Sequence, residues 1–176
     1  MRVGSLLSAT AAVLLAVSIA GAGPASAQDQ YAQVGLDAHN NYRARHGSPA
    51  MTLAEDLNDR ARQCAEYYAD KGTIDHSCPH KNGAGENLFM ATRGNPDPAH
   101  NVEWATQIWY DEISLYDYDK PVFANDTGHF TQVVWKASTR LGIGFASKSE
   151  KHVVVALYLE HGNVTGRFEQ NVPRPR

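Results

Sequence analysis

The first half of the chain spaces its apolar residues as amphipathic helices do. Residues 31–46 predict a first helix with one apolar stripe, which consists of Tyr31, Val34, Ala38 and Tyr42. Gly47 and Pro49 end this helix, because both residues interrupt regular helical structure. A second helix is predicted to begin at Thr52, since Thr52-Leu53-Ala54-Glu55 fits a capping box, and to end at Lys71-Gly72.

The same spacing defines the buried faces of the second helix and of a third one. The apolar positions of the second helix are Leu53, Leu57, Ala61, Cys64, Ala65 and Tyr68. Residues 73–85 predict a loop, and Glu86 to Ala91 predicts a short strand. Asn95-Pro96-Asp97-Pro98 supplies an N-cap and a first-turn proline for a third helix that runs to about Leu115. Its apolar stripe includes Val102, Ala105, Ile108, Trp109 and Ile113.

The C-terminal third of the chain has the pattern of strands. Residues 130–135 form an apolar run that predicts a first strand, and residues 141–146 alternate large apolar side chains with glycine, which permits close approach of another element. After a polar turn, residues 152–159 are nearly all apolar, as expected for a strand covered on both faces. Helices followed by a hairpin predict an α/β fold whose sheet has helices on both sides.

Residues 1–27 have the organisation of a secretory signal peptide. Arg2 precedes an apolar run from Leu6 to Ala20, and Ala25-Ser26-Ala27 matches a small-residue cleavage site. An uncleaved membrane anchor is the alternative, although the run is short for a bilayer span. Residues 28–176 suit one compact domain and contain no later apolar run long enough to cross a membrane. We therefore expect a secreted, extracellular protein.

The net charge argues against one class of partner, and the cysteines and two short motifs indicate covalent modifications. The formal net charge of −3 argues against a nucleic-acid partner, which would require concentrated positive charge. Cys64 and Cys78 predict a disulfide that stabilises the exported fold by about 3 kcal/mol, with a buried free thiol as the alternative. Asn125-Asp126-Thr127 and Asn163-Val164-Thr165 match the N-glycosylation sequon, so Asn125 and Asn163 are candidate glycosylation sites.

Four polar residues stand out against the apolar pattern. Glu112 falls on or beside the buried stripe of the third helix, where a carboxylate costs free energy unless it is paired. Glu86 begins a strand directly after glycines, His76 closes a short extended segment, and His129 precedes the apolar run at 130–135. Taken singly, each has an ordinary explanation as a solvated helix edge, strand end or loop residue.

Two histidines and two glutamates are the residue types of a metal or acid–base site, because imidazole is a neutral donor and a carboxylate balances or orients it. Spacing alone does not bring the four together. The sequence contains no His-Glu-x-x-His, no Cys-x-x-Cys, no Gly-x-Ser-x-Gly and no phosphate-binding loop motif.

Four blocks of the sequence, taken in order, resemble the CAP superfamily of cysteine-rich secretory proteins, antigen 5 and plant pathogenesis-related 1 proteins. They are Gly85-Glu86-Asn87-Leu88, Trp109-Tyr110-Asp111-Glu112, Gly128-His129-Phe130-Thr131-Gln132-Val133-Val134-Trp135 and Tyr158-Leu159-Glu160-His161-Gly162-Asn163-Val164. The last block lacks the cysteine and proline that are usual in the family. The likeness extends from about Tyr31 to Val172 and is closest to the short Golgi-associated and fungal Pry-type branch.

The resemblance implies a three-layer α–β–α sandwich with a mostly antiparallel central sheet. It also implies that His76, Glu86, Glu112 and His129 form the tetrad that the family carries in a surface cleft. In some members this tetrad binds zinc or another divalent metal. The two histidines would then be direct ligands, and the two glutamates would act through water or orient the imidazoles.

The segment Tyr116 to Thr127 precedes the Gly-His-Phe block, where sterol-binding members of the family have an aromatic, proline-containing loop. We expect Tyr118, Pro121, Val122 and Phe123 to contact a lipid there, since exposed aromatic and apolar side chains suit an amphipathic ligand. The alternative is a plain connector in which Val122 and Phe123 pack into the core.

Three functions are compatible with these features. The first is binding of a sterol or fatty-acid-like lipid, and the second is metal-dependent hydrolysis, such as proteolysis, with Glu86 or Glu112 as base. The third is a defence or virulence module that binds a protein partner. Hydrolysis lacks a third strong metal ligand and an obvious serine or cysteine nucleophile, so we favour binding over catalysis.

Overall fold

The computed structural model describes Met1 and residues 26–176. Residues 2–25, most of the predicted signal peptide, lie outside the described residues. Short 3₁₀ turns occur at Pro79–Lys81 and Glu112–Leu115. Within residues 26–176, no helix combines the length and hydropathy needed to cross a bilayer. The elements are α1 (Ala27–Arg45), β1 (Thr52–Leu53), α2 (Glu55–Lys71), β2 (Gly85–Thr92), α3 (Pro98–Asp111), α4 (Gly128–Val134), β3 (Arg140–Lys148), β4 (Lys151–Leu159) and α5 (Phe168–Asn171).

The sheet has the strand order β1-β3-β4-β2 and is mostly antiparallel, as predicted. β4 pairs antiparallel with β3 on one side and with β2 on the other, so that Tyr158 lies opposite both Leu141 and Gly85. The short β1 is parallel to β3. Residues 152–158 of β4 are all buried, which confirms the prediction of a strand covered on both faces.

Helices cover both faces of the sheet and give the predicted three-layer α–β–α arrangement. On one face, α2 packs against β3 and β4, and Leu57, Ala61 and Tyr68 contribute to that core. On the other face, α1, α3 and α4 enclose a core that contains Trp109 and Phe130. The alternating glycines of β3 have the expected role, since a Cβ at Gly142 or Gly144 would collide with the backbone of α2.

The predicted strand at residues 130–135 is wrong, because this segment forms the short helix α4. A short apolar run lacks the length that separates a buried strand from a buried helix. Residues 130–134 are all buried, and the buried Arg43 of α1 donates to the carbonyl groups of Val133 and Trp135, at 2.9 Å each. These donations satisfy carbonyl groups at the C-terminal end of α4 that its own backbone leaves unpaired.

The buried face of α1 is also displaced from the predicted stripe. Tyr31 is buried as predicted, but Val34, Ala38 and Tyr42 are half-buried. The buried polar residue His39 donates from Nδ1 to the Gly35 carbonyl and accepts from the Tyr158 hydroxyl, at 2.7 and 2.8 Å. Burial lowers the pKa of His39 to about 4, so this imidazole is neutral near pH 7. The remaining buried residues of α1 are Ala32, Gly35 and Arg43.

Two boundaries differ from the prediction. The capping box at Thr52 does not form, because Thr52 and Leu53 pair with β3 as strand β1 and α2 starts at Glu55. The third helix ends at Asp111 rather than near Leu115, and the chain continues as the 3₁₀ turn. Ile108 is 39% exposed instead of buried.

Candidate functional site

One half of the site joins the end of α3 to the start of α4. Glu112 directly follows α3, and its carboxylate accepts the backbone N–H groups of His129 and Phe130, at 2.9 and 3.1 Å. The His129 imidazole donates from Nδ1 to the same carboxylate at 2.6 Å, because an ionised carboxylate only accepts. We refer to Glu112 and His129 as the helix pair.

The surroundings of His129 fix the direction of its ring. The indole of Trp109 lies nearly parallel to the imidazole, with 6.2 Å between ring centres. The side-chain amide of Asn87 donates to the His129 carbonyl at 3.1 Å and so ties α4 to β2. With its proton on Nδ1, the imidazole keeps a lone pair on Nε2, which is free to accept a ligand.

The other half of the site joins a loop to the start of β2. Glu86 is the second residue of β2, and its side chain is only 2% exposed. His76 donates from Nδ1 to Glu86 Oε2 at 2.8 Å, and the Tyr68 hydroxyl donates to both carboxylate oxygens, at 3.3 and 3.2 Å. Lys81 Nζ lies 3.8 Å from Glu86 Oε2 and balances its charge. We refer to His76 and Glu86 as the loop pair.

A disulfide anchors the loop that presents His76. Cys64 of α2 is bonded to Cys78, two residues after His76, so the predicted disulfide is confirmed and the free-thiol alternative is wrong. Both cysteines are buried. The bridge therefore joins the loop covalently to the helix that covers the sheet.

Polar contacts hold the same loop from several sides. Arg60 of α2 donates to the carbonyl groups of His80 and Lys81, and Lys81 donates to the His76 carbonyl. His76 has a φ of 61°, in the left-handed region that residues other than glycine seldom adopt. The contacts therefore maintain a backbone conformation that an unsupported loop would rarely populate.

The two pairs meet at one cleft of about 460 Å³. Glu112 stands behind His129, whereas the other three residues of the tetrad line the cleft directly. The structure thus brings together the four residues that the sequence spacing left apart. The lining consists of His76, Glu86, Asn87, Phe123, Asn125, Gly128, His129 and Asn163.

As a metal centre, the cleft provides two imidazole nitrogens. Each imidazole directs Nδ1 to a carboxylate, which is the arrangement of carboxylate–histidine–metal sites. Across residues 26–176, however, no three His, Cys, Asp or Glu side chains come close enough to share one ion. The donor set fits a divalent ion held by two histidines and completed by water or a ligand, and it does not fit a closed structural zinc site.

Residues 116–127, the aromatic loop, have one buried and one exposed part. Tyr116 is buried, and Tyr118 is half-buried with its ring 4.8 Å from that of Tyr116. Val122 and Phe123 are 62% and 50% exposed, and the Phe123 ring lies against Gly128 at the cleft. Val122 and Phe123 therefore do not pack into the core, and that part of the plain-connector alternative is wrong.

We expected Tyr118 to contact a lipid at the cleft, but Tyr118 does not line the cleft. Its ring packs against the core and anchors the loop. Pro121 lies between the two parts and is half-buried. Among the described residues, the hydroxyl oxygens of Tyr116 and Tyr118 are the buried side-chain polar atoms without a hydrogen-bond partner. An unpaired buried hydroxyl costs free energy, so hydrogen bonding beneath the aromatic loop is incomplete.

The hydroxyl group closest in sequence to His76 is not an activated nucleophile. Ser77 donates to Asp75 Oδ1 at 2.6 Å and accepts a hydrogen bond from Lys71 Nζ at 2.8 Å. The hydrogen bond to Asp75 raises the pKa of Lys71, so this ammonium stays protonated and cannot serve as a base. The geometry gives no support to serine-based hydrolysis at this position.

The sequence pattern did not reveal the supporting residues of the site. Tyr68 was predicted to be buried, but the partners of its hydroxyl depend on how α2 meets the loop. Asn163 was predicted as a sequon and as part of the fourth block, and neither indicated that it donates to the Gly128 carbonyl at 2.9 Å and accepts from Thr131 at 2.5 Å. Asn125 is exposed at the cleft. Contacts between polar residues that are distant in the chain leave no periodic signal in the sequence, so composition and spacing could not have identified them.

Comparison with known proteins agrees with this architecture. The chain is 39% identical over 155 residues to Golgi-associated plant pathogenesis-related protein 1 of Homo sapiens, covering 86% of this chain and 97% of that protein. It is 33% identical over 140 residues to Protein PRY2 of Saccharomyces cerevisiae, covering 78% of this chain but only 39% of that protein. The crystal structure of NaASP2 with Zn²⁺ has the same fold, with a TM-score of 0.65, 22% identity and coverage of 87% and 90% of the two chains.

The family profile described as "CAP: Cysteine-rich secretory protein family" matches residues 36–158, which include three of the four predicted sequence blocks and all four tetrad residues. The match covers well over half of the chain, and the α–β–α sandwich is common to the related structures. The chain therefore belongs to the cysteine-rich secretory protein family, the CAP superfamily.

Proposed function

We propose that this CAP protein binds a sterol or another lipid at the aromatic loop beside the cleft. The observation that carries the proposal is the exposure of Val122 and Phe123 next to polar cleft residues. Adjacent apolar and polar surfaces suit an amphipathic ligand with a small head group. Tyr116 and Tyr118 anchor the loop, so the exposed side chains are held at the cleft rather than dispersed in solvent.

The head group of the ligand would lie in the cleft. Nε2 of His76 and Nε2 of His129 are hydrogen-bond acceptors when each imidazole is neutral and carries its proton on Nδ1. The exposed amide of Asn125 adds both a donor and an acceptor at the same cleft. A hydroxyl or a protonated carboxylic acid would find partners in this set.

A divalent metal is a second occupant that the same residues suit. His76 and His129 would hold the ion through Nε2, and Glu86 and Glu112 would keep both rings oriented. A bound ion would supply a Lewis acid that attracts an oxygen of the ligand head. Because two protein ligands bind more weakly than the usual three or four, we expect a metal that is readily exchanged.

We also propose that the protein is secreted. The apolar run and cleavage motif of residues 1–27 support export. The Cys64–Cys78 disulfide supports it as well, since such bonds persist in oxidising compartments.

Lipid binding can be tested with residues 28–176 and two fluorescent probes, dehydroergosterol and a conjugated polyene fatty acid. Replacing Phe123 by Ala together with Pro121 by Ala should weaken binding at least about tenfold, because the change removes apolar contact area of the size that an aromatic side chain contributes. Fluorescence titration measures the dissociation constants.

Leu115→Ala is the matched control, because Leu115 is exposed at 61% and does not line the cleft. This variant should bind as the wild type does. Wild-type affinity in the Pro121 and Phe123 variant would remove the aromatic loop from the proposal. If the wild-type protein bound neither probe, lipid binding itself would be refuted for these two ligand classes.

A further inference from the structure

Tyr68 stands behind the loop pair and does not line the cleft. Its side chain is fully buried in the core between α2 and the sheet. Its hydroxyl nevertheless reaches the most buried carboxylate of the site, that of Glu86. A residue with no access to a ligand therefore contacts a group that orients a ligand-facing imidazole.

The Tyr68 hydroxyl has two kinds of partner, and both belong to the His76 side of the cleft. It donates its proton to the Glu86 carboxylate and accepts the backbone N–H of Cys78 at 2.9 Å. Burial raises the pKa of Tyr68 above its ordinary value, so the hydroxyl keeps the proton that it donates. One oxygen atom thus fixes the distance between β2, which carries Glu86, and the loop, which carries His76.

The position of Tyr68 is itself well defined. Cys64 lies one helical turn earlier on α2, and its disulfide to Cys78 ends on the residue whose N–H Tyr68 accepts. Further along the helix towards its N-terminus, the backbone around Ala61 lies directly on Gly144 of β3. The helix therefore cannot move relative to the sheet without disturbing tight backbone packing.

We infer that Tyr68 is a positioning residue, which orients the His76 imidazole through Glu86 and Cys78 and thereby sets the direction of the ligand-accepting Nε2. This role rests on the proposed function of the cleft as a binding site. In the loop pair, the Tyr68 hydroxyl thus holds the Glu86 carboxylate, as backbone N–H groups hold the Glu112 carboxylate in the helix pair.

The test compares two tyrosines that are neighbours on α2. Tyr68→Phe removes the hydroxyl that contacts Glu86. Tyr67→Phe is the matched control, because the Tyr67 hydroxyl contacts the same loop through Ser77, at 3.1 Å, but is not bonded to Glu86. Long-range ¹⁵N–¹H NMR of the imidazole rings, recorded without any ligand, reports the tautomer and the hydrogen bonding of each histidine.

In the wild type and in Tyr67→Phe, His76 should be mainly the Nδ1-protonated tautomer, as the bond to Glu86 requires. In Tyr68→Phe, the His76 signals should shift towards a mixture of both tautomers while those of His129 stay unchanged. Unchanged His76 signals in a folded Tyr68→Phe protein would overturn the inference. An equal response in Tyr67→Phe would also overturn it, since any contact to the loop would then suffice.

A measurement on the wild type decides the case if Tyr68→Phe does not fold. The hydroxyl proton of Tyr68 should exchange slowly with water and show a nuclear Overhauser effect to the Cys78 amide proton. A rapidly exchanging hydroxyl would contradict the proposed bridge.

Titration with Zn²⁺ alone separates this inference from the proposed function. If the wild type binds Zn²⁺, Tyr68→Phe should bind it about tenfold more weakly, the lower range for loss of a group that supports a metal-ligating histidine. If the wild type binds neither Zn²⁺ nor the lipid probes, the proposed function fails. The NMR comparison still decides whether Tyr68 orients His76.

Discussion

The helix pair and the loop pair each join an imidazole that lines the cleft to one carboxylate, but the two carboxylates are held in different ways. In the helix pair, backbone N–H groups of α4 hold the carboxylate of Glu112, and His129 belongs to the helix that provides them. In the loop pair, the groups that hold Glu86 are side chains, those of Tyr68 and Lys81. His76 lies on a loop and is 54% exposed.

The difference shows two physical routes to an oriented imidazole. Backbone donors are fixed by the regular geometry of a helix, so the helix pair is complete once α3 and α4 pack together. Side-chain donors have to be ordered one by one, and each loses rotamer freedom. The loop pair therefore depends on additional restraints, of which the Cys64–Cys78 disulfide is the strongest.

Removal of the disulfide should have the largest effect, because it loosens the loop pair and leaves the helix pair intact. Cys64→Ala with Cys78→Ala leaves no unpaired thiol, because the chain has two cysteines. We expect the free energy of unfolding to fall by about 3 kcal/mol, as the entropy of closing a loop of this length predicts. Denaturant unfolding measures the loss. Amide chemical shifts should change around His76 and remain constant around His129. Equal changes at both would contradict the view that the two pairs are supported independently.

Glu112→Gln addresses the helix pair. Glutamine retains one acceptor oxygen but loses the charge that three N–H groups share, so we expect a loss of about 2 kcal/mol in the free energy of unfolding. Hydrogen exchange should accelerate at the first amides of α4. Glu103→Gln serves as control, because Glu103 is exposed on the preceding helix α3 and should change stability by less than about 0.5 kcal/mol. Similar losses in both variants would argue against a special role for Glu112.

Lys81→Met should have the smallest effect. The Lys81 ammonium is partly exposed, so water screens much of its attraction to Glu86 at 3.8 Å and weakens its hydrogen bond to the His76 carbonyl. We expect the free energy of unfolding to fall by about 0.5 kcal/mol and Lys81→Arg to retain wild-type stability. Calorimetry or denaturant unfolding measures the free energies of unfolding of the two variants and the wild type. A loss of about 2 kcal/mol or more would mean that Lys81, through Glu86 and the His76 carbonyl, supports the loop pair more strongly than an exposed ion pair does.

The helical periodicity of the N-terminal half and the alternation in β3 were sufficient to predict the layers of the fold. They failed at residues 130–135, because a buried helix of two turns and a buried strand have equally apolar sequences. They also misplaced the buried face of α1, since the pattern does not distinguish a polar side chain with internal partners from one that faces solvent. His39 and Arg43 have such partners and lie in the interior.

The tetrad, too, has some features that the sequence predicted and others that depend on tertiary packing. Sequence blocks shared with the family identified His76, Glu86, Glu112 and His129, and the fold places each histidine beside one glutamate. No sequence pattern indicated that the Tyr68 hydroxyl would join the loop to Glu86. Such a contact depends on the angle at which α2 crosses the sheet, and that angle follows from packing.

The sequence by itself identified the residues of the site, through the blocks that resemble the family, and the two cysteines of the disulfide. Local periodicity predicted most of the elements, but not the helix α4 that carries His129, because a short apolar run suits a strand equally well. The tertiary structure decided which carboxylate faces which imidazole, which side chains are exposed at the aromatic loop, and how each pair is supported. Hydrogen bonds of this kind join residues that are distant in the chain, so their geometry is fixed only when the layers pack.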